Sequence, residues 1–131
     1  MNTVKCAVIG TGYLGKFHAE KYAGIDTCEL VAVVDINETA AQEVAKKNGA
    51  QALTSYESLL GQVDAVSIVV PTTLHHKVAM DFLTSGAHVL VEKPITVTLE
   101  EADELIAAAK TNNVILQVGH LERFNPAVMG L

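Results

Sequence analysis

The chain is poor in the features that would take it away from an ordinary globular fold. Its 131 residues hold only two cysteines, and no apolar run reaches the length needed to span a bilayer. The first residues lack a basic segment followed by an apolar one, so no secretory signal is expected. Cys6 and Cys28 stand apart, each beside a strand-like run, which predicts reduced core thiols and no disulfide or metal site. Charge is scarce as well. Only 18% of the residues are charged while 50% are hydrophobic, a balance that excludes disorder. The net charge of −6 excludes a general surface for nucleic acid or anionic membrane. It leaves phosphate ligands open, because backbone amides bind phosphate without basic side chains. There are no internal repeats, low-complexity tracts or linkers. These features predict a cytoplasmic domain long enough to bury a core.

What is present is alternation. Nearly continuous apolar runs at Val4–Ile9, Leu30–Val34, Ala65–Val70, His88–Val91 and Ile115–Val118 read as strands buried on both faces, with a weaker one at Gln51–Leu53. Helical patterns fill the gaps. One is expected from about Tyr13 to just before Gly24, and another from about Glu38 to Lys47, closed by Asn48-Gly49. Val78, Ala79, Phe82 and Leu83 form the stripe of a third, closed by Gly86. The fourth follows Thr98, which pairs with Glu101 as a capping box, with Ala102, Leu105, Ile106 and Ala109 on one face. Strand–helix alternation with right-handed crossovers predicts an α/β fold: a doubly wound parallel sheet of Rossmann type, three layers thick, in the order 3-2-1-4-5-6.

The chemistry begins where the first strand ends. Gly10-Thr11-Gly12-Tyr13-Leu14-Gly15 follows that strand directly, and Asp35 follows Gly15 by twenty residues at the end of the second apolar run. A lone glycine pattern is weak evidence, and a purely structural turn is the alternative. Between a strand and a helix, with an acid at this spacing, it is the fingerprint of a dinucleotide site. Gly10 permits the tight turn, Gly12 admits a pyrophosphate to bare backbone, and Gly15 lets the helix pack on the strand. The helix N-terminus then faces the phosphates with unpaired N–H groups. An Asp35 carboxylate would accept both ribose hydroxyls of the adenosine half and repel a 2′-phosphate. No arginine stands nearby to offset that repulsion, so NAD is expected over NADP. Asp35 can also serve as a solvated cap, although Asn37 is the better cap for the next helix.

Two further segments end strands at the same edge, where ligands of open α/β sheets bind. Pro71 would line the cleft and Thr72 donate to it. His75 and His76 open the next helix, and since adjacent helical residues do not share a face, His75 is the one expected to reach the cleft. Glu92-Lys93-Pro94 follows the fifth strand. Lys93 would project near the nicotinamide end and stabilise alkoxide character during hydride transfer. A Glu–Lys surface pair in a turn is the alternative.

The glycine turn, Asp35, Pro71-x-x-x-His75, Gly86 through Pro94 and the capped helix after Thr98 together resemble the N-terminal domain of the Gfo/Idh/MocA oxidoreductases over nearly the whole chain. The resemblance implies an NAD(P)-dependent oxidation or reduction of a sugar, nucleotide sugar or polyol, with Lys93 at the position of the family's active-site lysine. It implies cofactor contacts from residues 10–15, Asp35, Pro71, Thr72, His75, Glu92 and Lys93. Many members carry asparagine where this chain has Thr72. The tail Gly119 through Pro126 is similar to members that oxidise nucleotide-activated amino sugars at the 3-position, and it offers His120 and Arg123 as substrate contacts. An interdomain salt bridge for Arg123 and a packed position for His120 remain open.

Residues 1–119 are therefore expected to form the dinucleotide-binding domain. Residues 120–131, with Asn125-Pro126 as a helix start, are expected to begin the connection to a substrate domain. That domain would carry much of the substrate pocket and the dimer surface. The chain is then expected to bind NAD with little or no turnover and to self-associate through exposed apolar surface. A non-catalytic NAD-sensing module is the competing reading, and another nucleotide cofactor on the same fold is a third.

Overall fold

The computed structural model describes residues 4–10, 19, 24, 27–91 and 98–118. In chain order these form β1 (Val4–Ile9), β2 (Cys28–Val34), α1 (Glu38–Asn48), β3 (Gln51–Leu53), β4 (Ala65–Ile68), α2 (His75–Thr84), β5 (His88–Val91), α3 (Leu99–Thr111) and β6 (Leu116–Val118). Short 3₁₀ turns cover Glu57–Leu59 and Thr72–Leu74. The helix expected after the glycine turn falls outside the described residues except for Ala19, which is helical and buried.

The strands form one sheet in the order β3-β2-β1-β4-β5-β6, and every neighbouring pair is parallel. This is the doubly wound order expected from the alternation. Both faces are covered, as the parity of β1 makes plain. Ala7 and Ile9 join a core with α2 and α3, while Val8 joins a second core with Ala19 and the α1 residues Val44 and Ala45. Simple alternation fails once. Leu30 and Ala32 lie two apart in β2 yet face opposite cores, because the ladder shifts between Cys6 and Ala7 and leaves Val31 as an extra residue. Val31 and Ala32 both turn toward the α2–α3 side, as a β-bulge requires.

The helices start and stop where local chemistry dictates. Asn37 accepts the Ala40 N–H at 3.1 Å, and Gly49 closes α1 at φ 70°. Glu38 in its first turn and Lys46 and Lys47 in its last complement the helix dipole. Thr98 accepts the Glu101 N–H at 3.2 Å and starts α3. Val78, Ala79, Phe82 and Leu83 of α2 are all buried, as their spacing predicts.

Three details differ from the sequence reading. The buried line of α3 is Leu105, Ala108 and Ala109, while Ile106 is 45% exposed. The helix faces the core along i, i+3, i+4, which puts the next residue about a quarter-turn aside. β4 ends at Ile68 because its partner β1 stops at Ile9, so Val69 and Val70 leave the ladder. β6 begins at Leu116, and the Ile115 N–H donates instead to His88 Nδ1 at 2.9 Å.

Cys6 and Cys28 are unbridged, and Cys6 is buried. Burial first, then the neighbouring Cys28 thiol, push the Cys6 thiol up from 9.0 to about 12. A folded-state value above the unfolded one favours the fold below pH 9, and that contribution is lost as pH rises through the folded value. In the native chain at pH 8, mass spectrometry after iodoacetamide treatment should find Cys28 alkylated and Cys6 spared, with both modified after denaturation.

Candidate functional site: a cleft at the carboxyl ends of the strands

The site begins with one glycine. Gly10 leaves β1 at φ 105°, a region closed to most side chains, and an added Cβ would lie 2.5 Å from the Val69 carbonyl oxygen. Bare backbone is therefore required here on two counts. The ends of four strands are stitched together around it. The Gly10 N–H donates to Val34 O at 2.7 Å, the Asp35 N–H to Leu53 O at 3.0 Å, and the Val69 N–H to Ile9 O at 2.8 Å. β1 and β4 are sheet neighbours although two strands intervene in sequence, so this is the point where the chain reverses its winding.

A cleft of about 520 Å³ opens there, within the range that holds small ligands. Gly10, Asp35, Ile36, Val70, Pro71 and Leu74 border it, with Tyr56 from the segment after β3 and Val78 from α2. Its walls are mainly aliphatic. Ile36 is 94% exposed and Leu74 47% exposed, so two large apolar side chains flank its mouth with little covering either. Asp35 supplies a carboxylate at the end of β2. Its Oδ1 accepts the Asn37 N–H at 2.8 Å, which fixes the side chain against the start of α1.

The sequence-derived site residues divide into four groups. Gly10, Asp35 and Pro71 come together around the cleft. Thr72 contributes its backbone to the turn after Pro71, where the Leu74 N–H donates to Pro71 O at 2.9 Å. His75 is placed differently from expectation. It is 2% exposed, it does not border the cleft, and its Nε2–H donates to Val70 O at 2.9 Å. Its first-turn position on α2 turns the ring back onto the loop, so it holds the segment that Pro71 and Leu74 project from. Neighbouring His76 turns toward α3, with its Nε2 2.9 Å from Glu104 Oε1. Thr11, Gly12, Tyr13, Leu14, Gly15, Glu92, Lys93, His120 and Arg123 lie outside the described residues.

Sequence reasoning missed the rim. Thr54, Ser55, Tyr56 and Glu57 follow β3 and border the cleft. The available signal was positional, since any segment leaving a strand at this edge is a candidate. Tyr56 also belongs to a cluster with α2. Its hydroxyl donates to Asp81 Oδ2 at 2.5 Å, and Lys77 Nζ donates to the Tyr56 oxygen at 3.0 Å and to Asp81 Oδ2 at 3.1 Å. Burial raises the Asp81 carboxyl, but the Tyr56 hydroxyl and the Lys77 ammonium outweigh it and the net direction is down. Burial first, then Asp81, push the Tyr56 phenol above its ordinary 10.0. A raised folded-state value favours the fold below pH 10 and loses that effect as pH rises further. In absorbance titration of the folded chain, Tyr56 should ionise above pH 10, and this late step should vanish in Tyr56→Phe.

The double constraint on Gly10 has a consequence in stability. Gly10→Ala should destabilise the chain by roughly 2–5 kcal/mol through strained φ and a backbone clash. Gly49→Ala, at positive φ but in open space, should cost only about 1 kcal/mol. Urea denaturation of the two variants checks the contrast.

The comparisons with known proteins agree with this geometry. Residues 4–120 match the family model of the Gfo/Idh/MocA oxidoreductases, described as an oxidoreductase family with an NAD-binding Rossmann fold. UDP-N-acetylglucosamine 3-dehydrogenase of Acidithiobacillus ferrooxidans is 45% identical over 128 residues, covering 98% of this chain and 40% of that protein. Its solved structure superposes with a TM-score of 0.87 over 99% of this chain and 42% of that one. A protein of gentamicin A biosynthesis, solved in complex with NAD, is 31% identical with a TM-score of 0.87, covering 91% of this chain and 35% of that one. An NADP(+)-dependent scyllo-inositol 2-dehydrogenase of Bacillus subtilis is 35% identical, covering 94% of this chain and 38% of that protein. The chain thus spans about two-fifths of the length of the curated relatives it matches. Its fold, its strand-edge cleft and a match over residues 4–120 place it in the Gfo/Idh/MocA oxidoreductase family, in the NAD-binding Rossmann part.

Proposed function

We propose that the chain binds NAD as the dinucleotide-binding part of an oxidoreductase acting on a sugar, nucleotide sugar or related polyol. The observation that carries this reading is Gly10, where backbone alone can occupy the turn against Val69 O at the strand-edge cleft. The residues present fit the cofactor. The cleft would take the adenosine half, with its apolar side chains against the base and Asp35 on the ribose hydroxyls. Gly12 and Gly15, with the amides of Thr11, Tyr13 and Leu14, would cradle the pyrophosphate. Pro71 and Thr72 would border the nicotinamide half together with Glu92, and His75 would hold their loop in place.

NAD is the preferred form on electrostatic grounds. A 2′-phosphate about 4 Å from the Asp35 carboxylate would meet a repulsion of about 4 kcal/mol at an effective dielectric constant near 20. The N-terminus of α1 returns only about 0.3–1 kcal/mol. The relative named for NADP(+) shows that family membership alone does not decide this.

A bound nicotinamide would supply the hydride donor or acceptor for the substrate carbon. The chain's part is to orient and to handle the proton. Lys93 would hydrogen-bond the reacting oxygen through Nζ and stabilise its alkoxide character. Arg123 would pair with a substrate phosphate or carboxylate, and His120 would border the same pocket. The reading includes a cytoplasmic, homo-oligomeric protein. Leu99 and Ile106, seven residues apart on α3 and 85% and 45% exposed, supply an apolar stripe that supports self-association.

Isothermal titration with NAD and NADH tests the reading, and the absence of binding at millimolar ligand would overturn it. Asp35→Ala should weaken NAD binding about ten- to a hundredfold, as expected for loss of charged hydrogen bonds. The same change should narrow the gap between NAD and NADP.

A further inference from the structure

The cleft has two sides that arrive from different parts of the chain. One is the segment after β3, Thr54–Glu57, and the other is the loop after β4 together with the start of α2. Leu74, which caps α2, and Val78, four residues on, carry the cleft edge on this side. The sheet ladder fixes the ends of β3 and β4, and the segments that form the two sides continue beyond it. Tyr56 spans the gap. Its ring borders the cleft and lies 5.4 Å from the Phe82 ring, tilted by 38°. Its hydroxyl is gripped from α2 by Asp81 at 2.5 Å and Lys77 at 3.0 Å. Lys77 and Asp81 are themselves joined at 3.1 Å as an i, i+4 pair, and Lys77 Nζ stands 5.6 Å from the Tyr56 ring centroid.

This arrangement exceeds what packing requires. The ring alone would fill the space beside the fully buried Phe82. The hydroxyl adds direction, since a phenol that donates to one group and accepts from another on the same helix has one orientation. A cleft wall fixed in that way loses no freedom when a flat base enters, so the ligand is spared the ordering cost.

We propose that Tyr56, anchored by Asp81 and Lys77 of α2, is a positioning residue that sets the width of the cleft for the adenosine half of the dinucleotide. The inference rests on the NAD-binding reading and deepens it. Tyr56 acts through the spacing of the two sides, so its effect is confined to ligands that carry the adenosine half.

The experiment uses the purified chain and its Tyr56→Phe, Asp81→Asn and Lys77→Met variants. Lys77 is 70% exposed, so its replacement spares the core. Circular dichroism first confirms that each variant is folded at the binding temperature. Calorimetric titration then compares NAD and ADP-ribose with nicotinamide mononucleotide. Loss of one or two hydrogen bonds should raise the Kd for NAD and ADP-ribose about three- to tenfold, with the value for nicotinamide mononucleotide unchanged. A residue with only a packing role would lower the melting temperature and leave this split absent. If the unsubstituted chain binds NAD and all three variants bind ADP-ribose within twofold of it, the inference is overturned and the NAD reading stands. If the unsubstituted chain does not bind NAD, the reading falls and the inference falls with it.

Discussion

The structure depends on one close approach of backbone to backbone. At Gly10 the chain leaves β1 with a positive φ and passes so near Val69 that a single added carbon would sit 2.5 Å from its carbonyl oxygen. Without that contact β1 and β4 could not be stitched beyond their ladder, and the Val69 N–H bond to Ile9 O marks how tightly they are joined. The cleft opens at this join because the chain moves off to β2 on one side and returns to β4 on the other. The residue that lets the sheet close at its switch point is also, on the NAD-binding reading, the first residue of the glycine motif that would hold the phosphates. Fold and site share one steric requirement, so they cannot be varied independently.

Around that point the chain separates two kinds of work. Rigid parts of the sheet and helices supply position, and short segments leaving the strands border the cleft. His75 belongs to the first kind despite its functional look in sequence. It is buried, and it spends its Nε2–H on Val70 O. Leaving that carbonyl unpaired inside the fold would be costly, so the imidazole stabilises the loop that presents Pro71 and Leu74. Asn37 does similar work for Asp35. Its backbone N–H holds the carboxylate while its side chain caps α1.

The sheet was legible because its signals are local and repeated. Strands buried on both faces need continuous apolar runs, and helix caps need particular residues at particular offsets, as at Asn37, Gly49 and Thr98. Strand order followed from alternation and handedness rather than from any one residue. What escaped depends on tertiary choices that leave no local trace. The bulge at Val31 changes which core Leu30 faces, and no residue type announces it. Ile106 reads as core because periodicity fixes a stripe only to within about one residue of rotation. In the site, Gly10 and Asp35 were legible because steric and charge requirements narrow the residue choice. Tyr56 was not, because its partners Lys77 and Asp81 lie more than twenty residues away on another element.

Asp35 shows how a structural bond and a proposed binding role can coexist in one side chain. An ionised carboxylate offers about four acceptor positions. One is committed to the Asn37 N–H at 2.8 Å. On the NAD-binding reading, the ribose hydroxyls would meet a carboxylate already oriented by that bond. An aspartate free to rotate would have to lose that freedom when the ribose arrives, at a cost of roughly 0.5–1.5 kcal/mol for an immobilised side chain. Here the start of α1 has already met that cost during folding. The same reasoning extends to the clasp at Tyr56. In both places the chain orders a polar group through bonds internal to the fold, and the ligand meets a surface whose geometry was settled before it came.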